Sequence, residues 1–249
     1  TTSLRGLIGL TMKVEVLKEG VHSGGASGHV PSSFRIARKL LSLVEDENTG
    51  EILVDELHTK IPEHRLKEAE TLVSILGDEV VQEFPWKNDM KPSTNDKVEG
   101  VLRRTWRPAL SIVGSDGLPP TANAGNVLRP YTTLQLSMRI PPMVDAKKAR
   151  DAIKKKLTES IPYEASVKLH FEEAADGWNA PETSPWLIKA IEKASENYFD
   201  EKPCSISEGG TIPFMAMLGE RFPKAQFVIT GVLGPQSNAH GPNEFLHIP

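Results

Sequence analysis

A single cysteine, Cys204, stands in a chain of 249 residues, which rules out an intrachain disulfide and a Cys-rich zinc cluster and fits a reducing, cytoplasmic setting. Long apolar runs are missing as well. Nothing approaches the ~20 consecutive apolar residues of a membrane-spanning helix, so no membrane partner is expected. Positive charge is not in excess: a net charge of -4 and a pI near 6.0 give the surface no general attraction for a phosphate backbone, which excludes nucleic acid as an expected partner. No His-x-Asp pair and no His-Glu-x-x-His run occurs, although a catalytic zinc ion usually takes at least three protein ligands. Neither an internal repeat nor a low-complexity tract is present. What remains is an ordinary globular composition, 39% apolar and 25% charged, sufficient for one large domain or two smaller ones. The first residue is Thr and not Met, so the chain is expected to be an excerpt.

Hydrophobic periodicity organises the first two thirds. In LTMKVEV, residues Leu10, Met12, Val14 and Val16 alternate with Thr11, Lys13 and Glu15, the period-two pattern of a strand with one buried face. After the Gly/Ser-rich link EGVHSGGASGH, residues Val30, Phe34, Ala37, Leu41 and Val44 recur at helical spacing, with Pro31 placed in the first turn. ALSIVG reads as a second strand. TLQLSMRI reads as a third, with Leu134, Leu136, Met138 and Ile140 inward and Arg139 outward. Asp145 caps a helix that carries Ala149, Ile153 and Leu157 on one face, and SVKLHF supplies a fourth strand. The order β-α-β-β-α-β is that of an α+β ferredoxin-like fold, an antiparallel sheet with two helices on one face.

That unit is expected over residues 1–174, interrupted by an insertion at 46–106. About sixty residues separate the first helix from the second strand, too many for a plain connection, and they include EHRLKEAETLVSILG, a helix pattern. The insertion is expected to pack as a flap. Turn-formers cluster in EAADGWNAPET, after which Ser184-Pro185 opens a helix with Leu187, Ile191, Ala194 and Tyr198 on one face. The short apolar runs PCSIS and QFVITG, separated by EGGTIPFMAMLGE, change the grammar to α/β alternation. Residues 175–249 therefore read as part of a second, α/β domain.

Several residues carry candidate chemistry. His22 lies in a glycine-rich loop after the first strand and is either a solvated loop histidine or one that the backbone brings to a ligand. Arg139 offers a fixed fork of donors that suits a carboxylate, or is simply solvated. Asn126 sits in the turn before the third strand, where Asn commonly bonds its own backbone. Gly209 and Gly210 open backbone N–H groups at a helix start, with Thr211 adding a hydroxyl; the turn reads equally as an anion site or as a tight turn with a capping threonine. His240 stands at the end of a strand-like run, without companions.

The joint occurrence of TTSLRGLIGL, GVHSGGASGHV, NVLRPYTTLQLSMRIPP, SEGGTIP and NAHGPNE, in this order, resembles the dinuclear zinc metallopeptidase family of carnosine dipeptidase, aminoacylase and succinyl-diaminopimelate desuccinylase, and is most like the carnosine dipeptidase branch. The resemblance runs over essentially the whole chain. It implies a ferredoxin-like lid and dimerisation domain followed by the C-terminal part of an α/β zinc-peptidase catalytic domain. It further implies metal-dependent hydrolysis of a dipeptide or an acylated amino acid, with two zinc ions (manganese or cobalt serving similar ligands) and a homodimer formed through the lid. Carried over by motif, His22 is the lid histidine that stabilises the oxyanion in the partner subunit's site. Asn126 and Arg139 bind the substrate's carboxylate end. Gly209, Gly210 and Thr211 contact substrate from the catalytic domain, and His240 is the last zinc ligand. NVLRP has one residue more than the family's usual NVIP, which weakens the match at Asn126. The family's other ligands and its general base lie upstream of Thr1, so this chain alone is expected to be inactive and metal-free. A non-catalytic dimerisation and binding module derived from the same family is the alternative.

Overall fold

In the computed structural model, residues 1–231, 237, 241, 242 and 244–246 are described. The core begins with β1 (Gly6–Glu15), where Ile8, Leu10, Met12 and Val14 are buried and Thr11, Lys13 and Glu15 face the other way. α1 (Ser33–Leu41) follows. The side chain of Ser32 caps it, accepting from the Arg35 N–H at 3.3 Å, so Pro31 lies before the helix and not in its first turn. Its inward face is Ile36, Ala37 and Leu40, continued by Val44, whereas Phe34 is 42% exposed. Of the expected stripe, Ala37 and Val44 are buried and Leu41 packs partly buried against the core, whereas Phe34 turns outward and Ile36 and Leu40 take its place.

α2 (Glu63–Leu76) and α3 (Lys97–Thr105) belong to the long excursion, which buries Ile61, Ala69, Leu72, Val80, Val101, Leu102 and Trp106 in a core of its own. Asp96 caps α3 by accepting from the N–H groups of Val98 and Glu99. The stretch just after α1 belongs elsewhere: Ile52, Val54 and Leu57 pack into the main core.

β2 (Ala109–Asp116) and β3 (Tyr131–Ile140) return to the sheet; α4 (Ala146–Thr158) and β4 (Ser166–Phe171) complete it. The spatial order is β2-β3-β1-β4 and every pairing is antiparallel. Gly6 lies opposite Ile140 and Glu15 opposite Tyr131, so β1 and β3 run side by side over their full length. Asp145 caps α4 through the Lys148 N–H, and Ala149, Ile153 and Leu157 are buried beside α1 on the same side of the sheet. Leaving those side chains in water instead would cost about 1.5–3 kcal/mol for each of Ile153 and Leu157. The opposite face is polar, with Thr11 donating to Gln135, Gln135 donating to Glu172, and Lys13 lying over the Tyr131 ring.

Past β4 the chain builds a second, smaller assembly around Ser3–Leu4, which pairs antiparallel with Trp178–Asn179 and parallel with Ser207–Glu208. α5 (Pro185–Phe199) and α6 (Pro213–Arg221) follow, and Leu4, Trp178 and Met215 form the buried centre. Among the described residues, 226–231 join no ladder, although QFVITG reads as a strand; Phe227 and Ile229 instead pack on that centre, and the Ile229 carbonyl accepts from the chain's amino terminus at 2.7 Å. On α5 only Leu187 is buried, and Tyr198 is 83% exposed. Among the described residues no helix is long and apolar enough to cross a membrane.

Candidate functional site

The candidate residues fall into two groups at opposite ends of the sheet. Beyond the Glu15 end of β1, Val21–His22 pairs antiparallel with Val127–Leu128, placing His22 opposite Val127. The Ser23 N–H donates to the Asn126 carbonyl at 2.9 Å, so His22 and Asn126 are neighbours, both exposed. The His22 ring lies over Gly24, where an added Cβ would come within 2.7 Å of the ring's Cε1. A side chain at position 24 would therefore displace the imidazole.

The second group lies at the Gly6 end. Arg139, half-buried on the polar face, donates through Nη1 to Thr211 Oγ1 at 2.8 Å. Thr211 thus caps nothing; α6 begins after Ile212 with no side-chain cap. Gly209 is the tight point of the turn, because an added Cβ would sit 2.5 Å from the Arg104 carbonyl and 3.0 Å from the Arg5 guanidinium, whereas Gly210 has open space around it. Tyr131 to Arg139 spans eight strand steps, so the two groups are separated by about 27 Å at ~3.4 Å per residue. Arg139 and Thr211 are brought together; Asn126 is not brought to Arg139.

The Gly209 turn is electropositive. Arg5, Arg104 and Arg139 gather around it, and burial, followed by the charges of Arg139 and Arg104, lowers the Arg5 guanidinium to about 10. Burial also lowers Arg104, against the opposing pull of Glu208. Three guanidinium groups around one turn make a setting that favours a carboxylate. Arg5 went unread in the sequence. Its signal was there, since it precedes β1 on the same alternation as Leu7 and Gly9 and so shares the face of Arg139.

A metal pair does not fit the described residues. Among them no three His, Cys, Asp or Glu side chains converge. The adjacent Glu172 and Glu173 follow β4, where Glu172 accepts from Gln135 on the sheet's polar face. His240 lies outside the described residues.

Residues 2–165 match the M20 peptidase dimerisation domain, and the chain belongs to that family. Among curated relatives, a cysteinylglycine-S-conjugate dipeptidase of Corynebacterium striatum is 25% identical over 256 residues, covering 98% of this chain and 52% of the relative. Among solved structures, the dipeptidase Dug1p of Saccharomyces cerevisiae aligns with a TM-score of 0.74 at 20% identity, over 99% of this chain and 51% of Dug1p. Human carnosine dipeptidase 1 aligns with a TM-score of 0.69 at 20% identity, over 88% of this chain and 47% of that enzyme. The chain thus spans about half the length of the relatives it matches, and shares its mixed α/β fold with them.

Proposed function

We propose that this chain is the lid and dimerisation portion, with part of the catalytic domain, of a metal-dependent dipeptidase acting on a dipeptide or a similar small amide such as an acylated amino acid. In this reading residues 1–174 are the lid, a ferredoxin-like unit carrying the 46–106 insertion, and residues 175–249 belong to the catalytic domain. The strand order β2-β3-β1-β4 with α1 and α4 on one face supports the first part. The exposed Trp186, Tyr198, Phe199 and Phe214 support the second, as apolar surface that a larger domain would cover. Dipeptidase names among the relatives support the activity. The implied metal pair, zinc or a similar divalent ion, falls to ligands outside the described residues, His240 among them.

One observation carries the mechanism: His22 and Asn126 lie a sheet's length from Arg139 and Thr211 in the same chain. A single active site that uses both groups needs two copies of the chain. The substrate carboxylate is held by the Arg139 guanidinium, with Thr211 fixing the orientation of the fork and Gly209 and Gly210 shaping the turn beside it. His22 of the other copy, with Asn126 beside it, donates to the carbonyl oxygen as charge builds there. Homodimerisation runs through the lid, where the β2 edge leaves Ile112 and Val113 exposed.

Subunit complementation tests this. His22→Ala and Arg139→Ala forms of the whole protein are each inactive; dissociated, mixed in equal amounts and reassociated, they form heterodimers that contain one intact site, restoring about a quarter of wild-type activity. No recovery on mixing would refute the trans arrangement. A wild-type dimer that hydrolyses no peptide at all would favour the non-catalytic module.

A further inference from the structure

Arg5 takes no part in the chemistry just described, yet it is one of the most enclosed cations in the chain, at 9% exposure. Among the described residues its hydrogen-bond partners are carbonyl oxygens only. Nε donates to Gly209 at 3.2 Å, and Nη1 donates to Arg103 at 3.4 Å and Arg107 at 3.5 Å. Among the described residues it has no carboxylate partner, and the charges that act on it, those of Arg139 and Arg104, are of like sign. Enclosing an unpaired cation is costly, and an apolar side chain would fill the same space at less expense. The guanidinium is therefore explained by what its fork holds and not by packing.

What it holds are two elements far apart in sequence. Arg103 lies in the last turn of α3 and Arg107 just beyond it, where helix carbonyls lack intrahelical donors and the helix dipole favours a cation. Gly209 opens the turn into α6. The same turn is pressed against the Arg104 carbonyl so closely that only glycine fits. Two residues on, Thr211 meets Arg139.

We propose that Arg5 is a positioning residue that locks the Gly209–Thr211 turn and the end of α3 to the start of β1, so that Thr211 stays against Arg139 and the pair presents one preformed carboxylate site. The insertion then contributes to substrate binding without touching substrate: its helix end is one jaw of the clamp. This rests on the reading of Arg139 and Thr211 as carboxylate ligands, but the clamp itself is testable without activity.

The test compares Arg5→Lys, Arg5→Gln and Arg139→Lys in the whole protein. A lysine keeps the charge but reaches one carbonyl instead of three. In Arg5→Lys, amide hydrogen exchange at 209–211 and 103–107 is expected to rise by about tenfold or more while β3 keeps its protection, the signature of local and not global opening. KM for a dipeptide with a free carboxylate is expected to rise about tenfold with kcat within about threefold, while the same peptide with an amidated C-terminus shows no change. Arg139→Lys gives the same KM pattern without the exchange change at 103–107. Unaltered exchange at 209–211, or exchange rising uniformly through β3, would overturn the clamp. Local exchange changes in a protein whose wild type turns over no peptide would uphold the clamp and reject the dipeptidase reading. Should both Arg5 variants fail to fold, Gly209→Ala, which leaves Arg5 in place but pushes the turn away from it, must produce the same local exchange pattern; if it does not, the proposal fails.

Discussion

Arg65 on α2 offers the sharpest test of how firmly the insertion is built into the molecule. Its side chain is 3% exposed. Nη1 pairs with Glu68 at 2.6 Å, Nε donates to Asn179 Oδ1 at 2.9 Å and Nη2 donates to the Ala180 carbonyl at 2.9 Å. The first bond is within α2, but the other two reach across to the strand that pairs with Ser3–Leu4. Arg65→Met keeps most of the volume and removes all three bonds, stranding Asn179 and Ala180. Losing one partner of a buried charge network typically costs about 3–5 kcal/mol. Glu68 softens the loss, because it is 21% exposed and also accepts from Thr2 at 2.8 Å, so about 3 kcal/mol is expected. Arg65→Lys retains the Glu68 pair and loses the fork, at about 1–2 kcal/mol. Urea unfolding would show a lowered midpoint with an unchanged slope, and thermal unfolding of Arg65→Met a Tm lower by roughly 6–12 °C. A cost below about 1 kcal/mol, or a separate early transition confined to the 61–106 cluster, would refute the reasoning and make the insertion an independent flap.

Three further predictions are narrower. Gly209→Ala is expected to destabilise by about 2–3 kcal/mol, since its Cβ has no room beside the Arg104 carbonyl, whereas Gly210→Ala falls within about 0.5 kcal/mol of wild type; equal effects in urea titrations would contradict the geometry. Glu15 is held at about 2, below its ordinary 4.5, first by the hydrogen bond from Lys13 and then by that from Lys168. Its contribution is therefore complete above pH 4.5 and lost as pH falls towards 2. The Tm gap between wild type and Glu15→Gln should close across that range; a gap that persists or widens in acid would reverse the sign. On the β2 edge, Val113→Lys replaces a residue 63% exposed and is expected to weaken the dimer by at least ~30-fold, about 2 kcal/mol, in sedimentation equilibrium; an unchanged association constant would move the interface elsewhere.

Why some of this was readable in the sequence and some was not follows from the range of the interactions involved. β1, β3 and β4 declare themselves because alternation is a property of adjacent residues, and Asp145 does so because a cap bonds within its own first turn. On α1 the spacing places Ala37, Leu41 and Val44 against the core but misplaces Phe34, because Phe34, Ile36, Ala37, Leu40, Leu41 and Val44 cover a broad arc and only the sheet decides which edge of that arc turns inward. QFVITG has strand composition without a ladder among the described residues, which is the usual limit of β propensity: it reports fitness for a pleated surface and not the presence of one.

The site divides in the same way. His22, Asn126, Arg139, Gly209 and Thr211 were each visible as residue types in suggestive settings, but their grouping depends on two facts that no local pattern encodes. The first is the β1–β3 register, which runs Gly6 to Ile140 and Glu15 to Tyr131 and so sends the two halves of the candidate chemistry to opposite ends of one sheet. The second is the return of the chain at Ser207–Glu208 to pair with Ser3–Leu4, which brings Thr211 to Arg139 and Gly209 to Arg5 across more than seventy residues or more than two hundred. A lone arginine before a strand continues the alternation but forms no motif, so Arg5 acquires meaning only when that return brings the Gly209 carbonyl, and the insertion the Arg103 and Arg107 carbonyls, around it. The β1–β3 register also bears on the proposed trans arrangement, because an antiparallel pair ten residues long holds His22 a sheet's length from Arg139 of the same chain. If His22 and Arg139 serve one substrate, the sheet itself obliges them to come from different chains.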